Sequence, residues 1–409
     1  MTGLTKILNG DVIESLKGAA DNSFDACFCD PPYGLSFMSK KWDYDVPSTE
    51  LWSEVFRVLK PGAPLIAFGG TRTYHRMVVR IEDAGFEIRD CLAWMYGSGF
   101  PKSLNVSKAI DAAAGADRPV IGSRILTGSA AMSTAEKGGT YASNTSSAGR
   151  SKTVDVTGPA TDLSKQWDGY GTALKPAFEP AVLARKPLDG TVANNVANWG
   201  CGALAIDACR IGRAEGDTSG WAVTGAKASD NVAMSGANYD RDPKPDASGR
   251  WPANVMLDEG AAAAMDAQSG NRPGMSGGGV HKEGYPGGMF GGIDGKPSHA
   301  RNDQGGASRF FYCAKVSKSE REAGCEALGD SDGKGRNPHP TLKPIALTRW
   351  LASLIKPPTR AATLLVPFSG AGSEMIGAMQ AGWPSVVGIE RDAEYVAIAE
   401  ARLAHWRVE

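Results

Sequence analysis

Three short groups of residues in this chain are of types that could do chemistry together. Asp30, Pro31, Pro32 and Tyr33 stand side by side and are followed by Gly34. A carboxylate, two carbonyls on rigid backbone and an aromatic face suit a planar ring carrying an exocyclic amine. Asp30 and the Pro31 carbonyl can accept both amine hydrogens while Tyr33 stacks on the ring. The plain alternative is a proline-rich turn with a helix-capping Asp. The second group is Pro367-Phe368-Ser369-Gly370-Ala371-Gly372-Ser373, with Glu390 following. Glycines let a ligand approach the backbone, and an acid about twenty residues further on can accept both hydroxyls of a ribose. The third is His339-Pro340-Thr341-Leu342-Lys343-Pro344.

These groups need elements to hold them. Phe24 to Cys29 is mostly apolar and predicts a buried strand. Two prolines stop its ladder, so Asp30 and Tyr33 fall where the strand opens into a loop at its carboxyl end, the ligand-binding edge of α/β sheets. Thr5 to Leu8 predicts a strand ending near Asp11, which either caps the helix over Val12 to Leu16 or lines a site one strand over from Asp30; the two roles are compatible. Ser48 caps a helix with Leu51, Val55 and Val58 on its apolar face. Leu65 to Phe68 is a strand, Tyr74 to Ile81 a helical stripe, and Phe86 to Tyr96 another strand. Alternating strands and helices mean a mostly parallel, doubly wound sheet.

Regular structure returns after Pro344. The pattern is a helix through Leu354, a strand over Ala362 to Val366, the glycine turn, and a helix carrying Met375, Ile376 and Met379. A strand over Ser385 to Ile389 follows, and then a last helix capped by Asp392. A nicotinamide cofactor would use the same acid at the strand tip. Against a dehydrogenase, the strands that would complete this sheet lie beside Asp30, at the other end of the chain.

The remainder bounds the function. The 409 residues allow a large core in two or three domains. A net charge of −1 gives no global basic field, so any nucleic-acid surface must be a local patch. The seven cysteines form neither a CxxC pair nor a zinc-finger quartet, which predicts reduced thiols, a cytoplasmic protein and no metal. No signal-like or membrane-length apolar run is present. Between Gly97 and His339 the texture is rich in Ser, Thr and Gly, apart from a strand-like island at Glu179 to Ala184. Two groups there pair Arg with aromatics: Arg250-Trp251, and Arg309 with Phe310, Phe311 and Tyr312. Such groups suit base stacking or phosphate contact, or else pin a loop to a core. Lys40, Lys41 and Trp42 either hold a displaced strand or form a solvated turn.

The order of these motifs resembles the β class of DNA amino-methyltransferases, the bacterial and phage enzymes that methylate N6 of adenine or N4 of cytosine. The resemblance covers roughly 5–100 and 335–405, and more weakly 170–187 and Arg309 to Lys315. It implies a seven-stranded Rossmann-like sheet whose missing strands come from the C-terminal segment. Residues 1–100 would form the catalytic half, 101–187 an insertion and a returning strand, 188–308 a loop-rich target recognition lobe, and 309–409 the cofactor half. It implies S-adenosylmethionine as cofactor, double-stranded DNA as substrate, base flipping and homodimers. Asp30, Pro31, Pro32 and Tyr33 match the catalytic tetrapeptide. Phe368, Ser369, Gly370, Ala371 and Gly372, with Ser373, match the loop around the cofactor's methionine part. Glu390 matches the ribose ligand and Asp11 the acid near the cofactor's adenine. Thr341 and Lys343 match the segment over its amino-acid end, where Lys343 would pair with the carboxylate. One departure stands out: the family has Asp where this chain has Val366, which removes a partner for the cofactor's ammonium and leaves Ser369, Asp30 or a carbonyl to replace it. The expected activity is N6-adenine methylation. N4-cytosine methylation and a catalytically inactive DNA-binding regulator are the alternatives.

Overall fold

A computed structural model of the chain describes residues 4–35, 44–97, 99, 103–127, 151–212, 249–273, 304–314, 319–328, 337, 339 and 342–407. Lys40, Lys41, Trp42, Thr341 and much of 188–308 lie outside them. In chain order the strands are β1 (Leu4–Asn9), β2 (Ala26–Cys29), β3 (Pro64–Phe68), β4 (Glu87–Met95), β5 (Val120–Thr127), β6 (Ser151–Thr157), β7 (Phe178–Arg185), β8 (Val255–Asp258), β9 (Arg272–Pro273), β10 (Gln304–Gly305), β11 (Tyr312–Ala314), β12 (Thr363–Pro367) and β13 (Ser385–Glu390). The α-helices are α1 (Val12–Lys17), α2 (Thr49–Val58), α3 (Tyr74–Asp83), α4 (Val106–Ala113), α5 (Asp162–Gln166), α6 (Val192–Trp199), α7 (Glu259–Ser269), α8 (Ile345–Leu354), α9 (Ser373–Gln380) and α10 (Ala393–Trp406).

Contacts divide the chain into two compact units, Met1–Ser98 with Phe178–Glu409, and Gly99–Ala177. The larger is built on a sheet ordered β1-β13-β12-β2-β3-β7-β4-β8-β11. All its neighbours pair in parallel except β7, which runs antiparallel to both β3 and β4. The late strands β12 and β13 therefore lie between β1 and β2. Side chains alternate across the pleat, as period-2 geometry requires. Ala26, Phe28, Ile66, Phe68, Leu364 and Val366 face α8 and α9 in one apolar cluster. Cys27, Cys29, Leu65, Ala67 and Leu365 face α1, α2 and α3 in the other. Helices on both faces make the sheet doubly wound, as expected.

The sheet has nine strands rather than the expected seven. The additional β8 and β11, of four and three residues, come from a region whose texture predicts loops. Met256, Leu257 and Ala314 bury there, but elements this short carry no measurable period. The position of Asp11 also differs. β13 and β12 separate β1 from β2, so Asp11 lies beside Glu390, not one strand over from Asp30.

The smaller unit holds a hairpin of β5 and β6, paired from Val120–Thr157 to Thr127–Ser151, where the sequence predicts no regular element. Buried Asp111 ties it together, accepting from Ala160 N at 3.0 Å, Thr161 N at 3.1 Å and Thr161 Oγ1 at 2.8 Å, and pairing with Arg118. Burial opposes its charge, but these donors prevail and hold the carboxyl well below its ordinary range.

Candidate active site

β2 ends at Cys29 because the next residues but one, Pro31 and Pro32, have no N–H to extend the ladder. Asp30 is thereby turned out of the strand, and both of its oxygens are engaged. Oδ1 accepts from the Tyr33 hydroxyl at 2.7 Å and Oδ2 from Lys343 Nζ at 2.6 Å. The same ammonium lies 3.0 Å from the Tyr33 oxygen and 3.1 Å from Glu179 Oε2. Glu179 Oε2 is also 3.1 Å from the Tyr33 hydroxyl, a second acceptor for its single proton. Thr73 Oγ1 donates to the Tyr33 carbonyl at 2.5 Å, fixing the loop from behind.

The Lys343 side chain is 3% exposed, and its ammonium sits 4.7 Å from the centroid of the Phe68 ring. Burial pulls the Lys343 pKa down, yet Asp30 and Glu179 outweigh it and raise the pKa above the ordinary lysine value. Burial, then the negative fields of Asp30 and Glu179, push the Tyr33 phenol well above its ordinary value, so it stays a donor. Lys343 stands between the two loops, bonded within the chain. Its three donors are directed at Asp30, Glu179 and Tyr33.

The second loop follows β12. Phe368, Gly370 and Gly372 all have positive φ, +59°, +49° and +83°. A Cβ on Gly370 would come within 2.7 Å of His339 Nε2, so glycine is needed there both for the left-handed backbone and for the approach of the histidine. His339 lies against this turn and meets the Tyr395 ring edge-on at 4.7 Å. The turn closes on Glu390, whose Oε2 accepts from Gly370 N at 2.9 Å and whose Oε1 accepts from Asp392 N at 2.8 Å. Burial raises the Glu390 pKa, with these N–H bonds acting against it. Buried Ser369 donates its hydroxyl to Ile389 O at 3.3 Å. The neighbouring Asp11 caps α1, accepting from Ile13 N at 2.9 Å.

Sequence reasoning missed two acids. Glu179 opens an apolar strand, and nothing local tells that its carboxylate meets Tyr33 and Lys343. Glu374 sits in the first turn of α9 and is 4% exposed. Burial, then Asp30, raises it to about 7, while Lys343 and Arg402 act in the other direction. The available signal was an acid between a glycine turn and the apolar Met375-Ile376 pair of a helix buried nearly all round.

Far from these loops in sequence, the two arginine–aromatic groups meet. Arg250 Nη1 donates to the Arg309 carbonyl at 3.2 Å. The Arg250 and Arg309 guanidinium groups lie 5.1 and 4.3 Å from the Phe310 centroid. Arg210 lies 5.3 Å from the ring of Trp251, which is 61% exposed. The cluster is packed together at its base and leaves the Trp251 ring largely exposed. No helix among the described residues is long and apolar enough to cross a membrane.

The carboxylate–tyrosine corner thus stands beside a glycine turn with an acid at the next strand tip. Residues 24–112, which include the corner, match the model of a DNA methylase family of the N6/N4 type. The chain is 28% identical over 131 residues to the type II methyltransferase M.HindIII of Haemophilus influenzae, and this match spans 22% of the chain and 42% of that relative. Among solved structures it is similar to the PvuII DNA methyltransferase (cytosine-N4-specific), at 12% identity and a TM-score of 0.45, covering 98% of this chain and 87% of that one. It is likewise similar to M1.HpyAVI, at 12% identity and a TM-score of 0.39, covering 98% of each.

Proposed function

We propose that this chain is an S-adenosylmethionine-dependent DNA amino-methyltransferase acting on N6 of an adenine flipped out of duplex DNA. The observation that carries the reading is the pairing of β2 with β12, Ala26 beside Leu364 and Cys27 beside Leu365. Because of it, the Asp30 loop and the Phe368 turn leave one sheet edge as neighbours, at the carboxyl ends where ligands bind. The family match over residues 24–112 supports DNA as the substrate. A chain that runs from amine-gripping loop to glycine turn supports the circularly rearranged β class.

The residues present fit the cofactor. Beside the glycine turn, Glu390 at the end of β13 retains lone pairs for ribose hydroxyls. Asp11 stands beside it for the adenine. Bound S-adenosylmethionine supplies a methyl group on a sulfonium that is already electrophilic. This chain's own residues align and polarise the amine. Each Asp30 oxygen has a lone pair beyond those used by Tyr33 and Lys343, so Asp30 and the Pro31 carbonyl can take the two N–H bonds and turn the nitrogen lone pair toward the methyl group. The nitrogen gains a methyl and sheds one proton, for which Asp30 is the base at hand. Alignment and fixed dipoles do most of the work. Flipping costs a few kcal/mol, and stacking on Tyr33 offsets part of it. Residues 188–308 are proposed to read the target, with Arg250 and Trp251 in its contact face.

The test is incubation with unmodified duplex genomic DNA and methyl-labelled S-adenosylmethionine, followed by mass spectrometry of the nucleosides. N6-methyladenine is expected. N4-methylcytosine would move the assignment to the other base, and no labelled base would overturn the reading.

A further inference from the structure

We infer that Glu374 supplies the carboxylate that receives the cofactor's α-ammonium group, in place of the acid that Val366 does not provide. The inference rests on the methyltransferase reading and adds to it a binding residue specific to this chain. Val366 points into the apolar cluster between the sheet and α8 and α9, with Met375 and Ile376 in the same cluster. A carboxylate lost from the strand at this level can be returned only from an element covering the same face, and α9 covers it. Glu374 lies in the first turn of that helix, directly after the glycine turn.

Its surroundings are those of a group awaiting a cation. The residue is 4% exposed, and among the described residues no other residue donates a hydrogen bond to its carboxylate. Buried carboxylates ordinarily have such donors. Neither cation within electrostatic reach hydrogen-bonds to it, the buried Arg402 Nε having no partner among the described residues. Lys343 bonds to Asp30 and Glu179, and Arg402 donates to the Ala371 carbonyl and to Ser373 Oγ. Asp30 and Cys29 complete the charged and titratable groups facing it from β2. Burial and the like charge of Asp30 raise its pKa, a state that an arriving ammonium would relieve. Of the other candidates, Ser369 has its hydroxyl turned to Ile389 O, and the lone pairs that Asp30 keeps beyond Tyr33 and Lys343 are the ones the target amine requires.

Calorimetry with S-adenosylhomocysteine, and with its analogue lacking only the α-amino group, tests this on the full chain. Glu374→Gln is expected to weaken S-adenosylhomocysteine at least tenfold and to change the desamino analogue less than twofold. Equal losses for both ligands, or no loss for either, would overturn the inference. Glu374→Met, which keeps the length of the side chain and suits an apolar face, replaces Glu374→Gln if that variant melts below the assay temperature. If the unmodified chain binds no S-adenosylhomocysteine, it is the methyltransferase reading itself that fails.

Discussion

The two loops at the sheet edge are held in opposite ways. The Asp30 corner is fixed by side-chain charges drawn from three distant parts of the chain: Asp30 itself, Glu179 at the start of β7, and Lys343 before α8. The turn after β12 is fixed by backbone: three left-handed residues and two main-chain N–H groups donating to Glu390. A backbone-held loop tolerates changes of surrounding charge but not of conformation. A charge-held loop is the reverse, and it fails as a unit when one member is removed.

Variants can separate these two modes. The largest effect is expected for Asp30→Ala, which should reduce methyl transfer below detection in a radiolabel assay while leaving DNA binding in a gel-shift assay largely intact. Next is Lys343→Met. It leaves Asp30 and Glu179 facing each other with no cation, and breaking such a pair costs about 3–5 kcal/mol, measurable by urea unfolding. Because the Lys343 pKa is raised above 10.5, this stabilisation is fully present below that ordinary value. It fades only as the pH climbs through the elevated one, so wild type and variant should converge in stability in strong alkali. Glu390→Ala should raise the dissociation constant for S-adenosylhomocysteine tenfold or more, from the loss of charge-assisted hydrogen bonds of roughly 1.5–3 kcal/mol. The smallest effect is expected for Gly370→Ala: about 1–2 kcal/mol for a side chain in left-handed backbone, together with the displacement of His339, read in a thermal melt, with the Asp30 corner unchanged. A Gly370→Ala chain as stable as the parent would break the comparison from the backbone side.

The same contrast explains what could be read from the residues alone. Backbone-held features write themselves locally: Gly370, Gly372 and the later Glu390 announce a turn and its acid, and Ser48 and Asp392 announce helix starts that the structure contains. Charge-held features do not. Lys343 carries three donors, and the sequence does not say whether they meet a ligand or Asp30, Glu179 and Tyr33. That depends on β7 entering the sheet antiparallel beside β3, a long-range event. β8 and β11 escaped notice for a simpler reason, since three or four apolar residues fit a loop as well as a strand. The meeting of Arg250 with Phe310 is also a product of tertiary packing, for which no local spacing is a guide.

Among the described residues β1 pairs with β13 alone, and Arg407 Nη2 donates to the Thr5 carbonyl at 2.6 Å. The β1 ladder therefore depends, among the described residues, on a strand more than 370 positions later in the sequence. A chain truncated before Ser385 would leave the β1 backbone without its ladder, and cellular proteases should clear such fragments quickly.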